Sequence, residues 1–156
     1  MKSILESGNL KGKRVLVRVD WNVPIENGKV VDDFRIKKSL PTLEYLENAG
    51  AKVNVATHLE SKDASIDSLK TYVPKGMKLL ANLRDNPGEK SNSEKFAREL
   101  ASKVDIYVNE AFSASHREHD PSAQLNFPDA ARGANDLWFG RQRPPPLPSG
   151  QRSRAV

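Results

Sequence analysis

Cysteine is absent from the 156 residues, which excludes disulfides, thiolate metal sites and cysteine nucleophiles. No window approaches the roughly 18 consecutive apolar residues that a membrane-spanning helix needs. Met1–Ser7 carry no apolar core of the secretory kind, so a cytoplasmic protein is expected. Neither HExxH nor a close His/Asp grouping of ligand spacing is present, so no metal site is expected. A GxGxxG or Walker A pattern is missing as well, so no nucleotide-phosphate loop is expected in this chain. Aromatic residues make up 6%, and Phe127, Trp138 and Phe139 are not interleaved with the basic residues in the manner of a nucleic-acid platform. Neither nucleic acid nor membrane is therefore expected as a partner.

The chain does have a polar, charged composition and enough length for one ordinary domain. Hydrophobic residues are 37%, charged residues 29% and the net charge is +5, which favours anionic partners without naming one. The charge is uneven. Residues 1–120 hold 14 Lys, 6 Arg and 18 acidic residues; residues 121–156 hold no Lys, 5 Arg and 2 acidic residues, together with six of the ten prolines. The chain therefore divides into a body, 1–120, and a Pro/Arg-rich tail, 121–156. The tail shows neither a period of 2 nor of 3.6, and two readings stand: a disordered linker or ligand for a proline-binding module, or a stretch read out of frame.

The body alternates strand and helix signals. Lys13–Asp20, Lys52–Thr57, Met77–Asn82 and Val104–Asn109 read as strands. A helix is expected from a cap at Asp32 or Asp33 to about Asn48, kinked at Pro41 and stopped at Gly50. Ser65–Val73 reads as a short helix and Asn92–Ser102 as an amphipathic one, while Asn22–Asp32 reads as a loop. The order predicts a parallel sheet with helices on its faces.

Ligands in open α/β sheets sit beyond the carboxyl ends of the strands. The residues expected there are Asp20, Trp21 and Asn22; Arg35 at the helix start; His58; Arg84; and Asn109, Glu110, His116, Arg117 and His119. Arginine forks bind phosphate and carboxylate bidentately, and histidine and asparagine add directional hydrogen bonds. This set suits a small ligand with several negative charges. In the alternative reading the arginines pair with Asp32, Asp33, Glu110 and Glu118 as ordinary surface.

The segments KGKRVLVRVDWNVP, DDFRIKKSLPTLEYLENAGAKV, NLRDNPGEKSN and DIYVNEAFSASHREH resemble, in that order, the N-terminal domain of phosphoglycerate kinase. RVDWNVP is similar to that family's RVDFNVP, and VNEAFSASHREH to its VNDAFGTAHRAH; the tail shows no resemblance. The resemblance implies a three-layer, Rossmann-like α/β fold with helices on both faces of a parallel sheet, here as an incomplete N-terminal domain. It implies reversible phosphoryl transfer between ATP and 3-phosphoglycerate in glycolysis and gluconeogenesis, with the family's site residues carried over residue by residue. Asp20 and Asn22 match positions that contact 3-phosphoglycerate. Arg35 matches the catalytic arginine set against the transferring phosphoryl group. His58 matches a substrate histidine, and Arg84 and Arg117 match arginines that hold the substrate's phosphate. The partners implied are 3-phosphoglycerate and 1,3-bisphosphoglycerate, the cofactors MgATP and MgADP, and the state a monomer. The nucleotide site belongs to the family's second domain, so this chain is expected to hold the acid half and to be inactive alone. The other function class is a non-catalytic anion-binding or scaffolding domain with a Pro/Arg tail. The sequence departs from the family's HLGRP at Glu60 and Ser61, which removes a glycine and an arginine; Lys62 offers a point charge instead. The stretch from His58 to Arg84 is also shorter than the family's.

Overall fold

In a computed structural model, the structure describes residues 4, 7–61, 63–87, 95, 99–100, 102–111 and 137–139. Strand β1, Arg14–Arg18, lies inside a sheet of order β5-β4-β1-β6-β7, with β4 at Lys52–Ala56, β5 at Lys78–Leu79, β6 at Ile106–Asn109 and β7 at Leu137–Phe139. All its pairings are parallel. Within 121–156, where the residue pattern signals no element, β7 adds an edge strand to β6. Three residues are too few to display an alternation.

The central strand has two buried faces, as parallel sheets require. Val15 and Val17, joined by Val53, Val55, Ile106 and Val108 of the flanking strands, pack with Ile36, Leu43 and Leu46 of helix α1, Phe34–Asn48, in one core. The opposite face holds Leu16, Arg18, Ala56 and Tyr107, all buried as well. Burial pushes the Tyr107 phenol up to about 12, because the phenolate is the form that loses hydration.

Helix α1 starts and stops where the residues dictate. Asp33 holds the N-cap position without a side-chain cap; the carboxylate that receives an amide there is Asp32, which accepts from Phe34 N–H at 2.9 Å. Pro41 lies inside α1, which continues through it. At the other end Gly50 has φ 74°, while Gly50 N–H donates to Glu47 and Ala51 N–H to Leu46. That is the Schellman closure, which needs a left-handed residue and so a glycine.

Other elements differ from the sequence reading in detail. The segment read as a loop contains a hairpin, β2 at Ile25–Glu26 and β3 at Lys29–Val30. Its turn residues Asn27 and Gly28 both have positive φ, 49° and 73°, the type I′ geometry that Asn-Gly supplies. The helix expected at Ser65–Val73 is a 3₁₀ helix, Ile66–Tyr72, capped by Ser65, whose hydroxyl accepts from Asp67 N–H. The expected six-residue strand at Met77–Asn82 is reduced to β5, because the chain turns into a further 3₁₀ helix, Leu83–Asp85, capped by Asn82. Most of the helix expected at Asn92–Ser102 lies outside the described residues.

Trp21 is fully buried, and its indole N–H donates to Ser39 Oγ at 2.8 Å. It is a packing residue, as its replacement of a phenylalanine suggests. Ser39→Ala leaves that buried donor without an acceptor and is expected to lower stability by about 1–3 kcal/mol, read as a shifted denaturation midpoint. An unchanged midpoint would contradict the assignment. Arg14 and Asp105 form an exposed pair at 2.7 Å, and hydrogen bonds from the Arg14 side chain and backbone hold the Asp105 carboxyl down at about 2. A depressed carboxyl stabilises above its unfolded value, near 3.9, and the contribution is lost as pH falls towards 2. Asp105→Asn is therefore expected to be less stable than the native chain at pH 5 and to match it near pH 2 in acid-unfolding curves.

Candidate functional site

The strand order reverses beside β1: the chain builds outward through β4 and β5, then returns to β6 on the other side. Such a switch point opens a crevice at the carboxyl ends of the strands. Backbone bonds past the strand ends shape its rim. Val19 N–H donates to Ala56 at 2.9 Å, and Glu110 N–H to Arg18 at 2.7 Å. Trp21 N–H donates to the buried Thr57 hydroxyl at 3.1 Å. The segment after β1 is thereby tied to the segment after β4.

The rim brings together five of the six expected site residues. Asp20 and Asn22 follow β1, His58 follows β4, Arg84 follows β5 and Arg35 stands in the first turn of α1. Arg117 lies outside the described residues, as do Lys62, His116 and His119. Arg35 Nη1 donates to both carboxylate oxygens of Asp20, at 3.1 and 3.2 Å. Arg84 Nη2 donates to Glu60 Oε1 at 3.3 Å. Internal ion pairing therefore operates at Arg35 and Arg84, through Asp20 and Glu60; of the acids expected, Glu118 lies outside the described residues. Asp32 caps α1, Asp33 pairs with Lys37 at 2.9 Å, and Glu110 accepts from the Thr42 hydroxyl at 2.8 Å.

Asn82, which the sequence reading passed over as a strand end, organises this corner. Its Oδ1 accepts from Leu59 N–H at 3.0 Å and from Arg84 N–H at 3.2 Å, and its Nδ2 donates to Leu59 O at 3.3 Å. The side chain thus substitutes for a strand's backbone ladder. The signal was Asn two residues before Arg84, an Asx-turn spacing. Arg18 was likewise read as an ordinary strand residue, yet it is buried at 3% exposure. Its position in the last residue of β1 places it below the rim.

His58 is 4% exposed, and its Nδ1 has no hydrogen-bond partner among the described residues. Its pKa is lowered, first by burial and then by the guanidiniums of Arg84 and Arg18; Asp20 and Glu60 act in the opposite direction. The imidazole is therefore neutral at pH 7, and the positive charge of the rim resides in its arginines. The segment that follows His58 lines a cavity of about 430 Å³, whose walls include Glu60, Ser61, Ser65, Asn82, Arg84 and Asp85. Among the described residues, no group of three or more His, Cys, Asp or Glu side chains is arranged to hold a metal ion. No helix among them is long and apolar enough to cross a membrane.

The fold and site define a class: a Rossmann-like parallel α/β domain with an arginine- and histidine-bearing rim at its switch point. The comparisons carry this to a family. The phosphoglycerate kinase family model matches residues 5–75 and 61–134, past the Asp120 boundary that composition suggests. The two spans share residues 61–75, within the stretch read as shortened. The chain belongs to the phosphoglycerate kinase family. It is 37% identical over 151 residues to the phosphoglycerate kinase of Pelotomaculum thermopropionicum, covering 76% of this chain and 38% of the relative. It is 41% identical over 149 residues to that of Leptospira biflexa, covering 74% and 38%. The solved phosphoglycerate kinase of Coxiella burnetii superposes with a TM-score of 0.71 at 28% identity, over 88% of this chain and 40% of that one. The chain thus spans well under half the length of these relatives.

Because His58 titrates below its ordinary value of about 6.5, the unfolded chain binds more protons than the folded one as pH falls through that value. Stability is therefore expected to be held above about pH 6.5 and to decline below it. Arg84→Gln removes one of the charges that keep the imidazole neutral, so the His58 Cε1–H resonance is expected to titrate at higher pH in that variant. A titration midpoint unmoved by the substitution would contradict the electrostatic cause.

Proposed function

We propose that this chain carries the acid-substrate half of a phosphoglycerate kinase, the half that binds 3-phosphoglycerate or 1,3-bisphosphoglycerate during reversible phosphoryl transfer with ATP in glycolysis and gluconeogenesis. The observation that carries the reading is the convergence of Asp20, Asn22, Arg35, His58 and Arg84 beyond β1, α1, β4 and β5, in a chain that matches the family over residues 5–134.

The roles follow from the chemistry of each group. Arg35, exposed by 48% and paired with Asp20, offers a guanidinium to the transferring phosphoryl group, whose spread negative charge is stabilised by fixed cations. Asp20 positions that guanidinium and accepts from the substrate's hydroxyl. Asn22 supplies a directional amide. Neutral His58 contributes a hydrogen bond without charge, and Arg84 with Arg117 holds the substrate's phosphate. The site acts by positioning and electrostatics, as phosphoryl transfer requires.

MgATP is the family's second reactant. The described residues lack an acidic cluster for a metal ion, and the sequence lacks a glycine-rich phosphate loop, so these residues do not fit the nucleotide. A cytoplasmic monomer is the state proposed for the working protein.

Titration calorimetry of the chain with 3-phosphoglycerate tests the reading. Weak, saturable binding is expected, reduced about tenfold or more in Arg35→Ala and Arg84→Ala, the scale of a lost hydrogen bond to a charged group. A coupled assay of the same chain is expected to show no ATP consumption. Binding indifferent to both arginines, or turnover at a full enzyme's rate, would overturn the proposal.

A further inference from the structure

We infer that Glu60 is a built-in competitor for the anion site, a carboxylate that rests on Arg84 and lowers the affinity of the rim for its ligand. The inference rests on the reading of Arg84 as an anion-binding residue and adds a residue that sets how tightly that site binds.

Residue 60 touches two of the rim residues at once. Its backbone N–H donates to Asn22 Oδ1 at 3.2 Å, and its carboxylate receives Arg84 Nη2 at 3.3 Å. The preceding residue is locked on both sides, since Leu59 N–H and Leu59 O are both held by the Asn82 side chain. The same Asn82 oxygen accepts Arg84 N–H. One side chain thus holds the Arg84 backbone and the residue before Glu60, which brings the Glu60 carboxylate within reach of Arg84.

Exposure decides what that contact does. The Arg84 side chain is 17% exposed and that of Glu60 53%. The guanidinium is held near the cavity with little access to water, while the carboxylate can swing into solvent at small cost. A pair of this kind contributes little to stability. A ligand bearing a phosphate or carboxylate must nevertheless displace Glu60 or bind beside its charge. Both Glu60 and Asp85 line the cavity with Arg84, so among the described residues an anion approaching Arg84 there also meets two carboxylates. Removing the Glu60 charge leaves the Asn22 contact intact, because that bond uses the backbone.

The test is a gain of binding. Glu60→Gln and Glu60→Ala, with the native chain and Arg84→Ala, are titrated with 3-phosphoglycerate and separately with inorganic phosphate, at low and high salt. Both Glu60 variants are expected to bind both anions about two- to fivefold more tightly at low salt, the range of one partly exposed ion pair. The gain is expected to shrink at high salt; a purely structural role would give neither a gain nor this salt dependence. Unchanged or weaker binding in the Glu60 variants, with Arg84→Ala still impaired, overturns the inference and leaves the anion site standing. Absence of binding in every form, or affinity indifferent to Arg84, overturns the inference together with the site it rests on.

Discussion

The geometry of the rim depends on the parallel pairing of β1 with a neighbour on each side. Val17 is level with Val55 on one flank and Val108 on the other, so three strands end at the same height. The ladder continues beyond the strands, through Val19 N–H on Ala56 and Glu110 N–H on Arg18. Residues distant in the chain, such as Asp20, His58 and Glu110, are therefore held beside one another by backbone hydrogen bonds rather than by their own side chains. The row of valines under α1 makes this register costly to shift, because a one-residue slip would exchange the buried faces.

On that frame the charges are arranged as partners. Arg35 faces Asp20 and Arg84 faces Glu60, while buried His58 remains neutral between guanidiniums and carboxylates. Pairing keeps the half-buried cations compatible with folding, and the partial exposure of each pair keeps it exchangeable. A multiply charged ligand offers more than a single carboxylate does, since its oxygens can meet several donors together. The same arrangement suits the multiply charged ligand proposed for the rim.

Much of this was legible in the residues. The alternation of apolar runs and helix signals placed four of the sheet's strands and α1, and Gly50 marked the helix end through its left-handed closure. Asn27-Gly28 carried the hairpin signal, yet two-residue strands are too short to show a period. The shortening of β5 depended on Asn82, whose side chain turns the chain by bonding to Leu59 and Arg84. Local pattern does not encode a bond across 23 residues. Likewise the sequence marked the arginines as ligand-binding or ion-paired, but could not choose their acids. Asp32 and Asp33 are near in sequence and turn to α1 and Lys37; Asp20 and Glu60 are distant and lie opposite.

By itself, then, the order of residues determined the family, the parallel α/β class and the residue types of the site, because motifs and hydrophobic periods are local properties of the chain. The tertiary structure decided which charges meet, that buried His58 is held neutral, and that Glu60 stands on Arg84. Those outcomes depend on distances and desolvation between segments that approach one another only once β1 is flanked by β4 and β6.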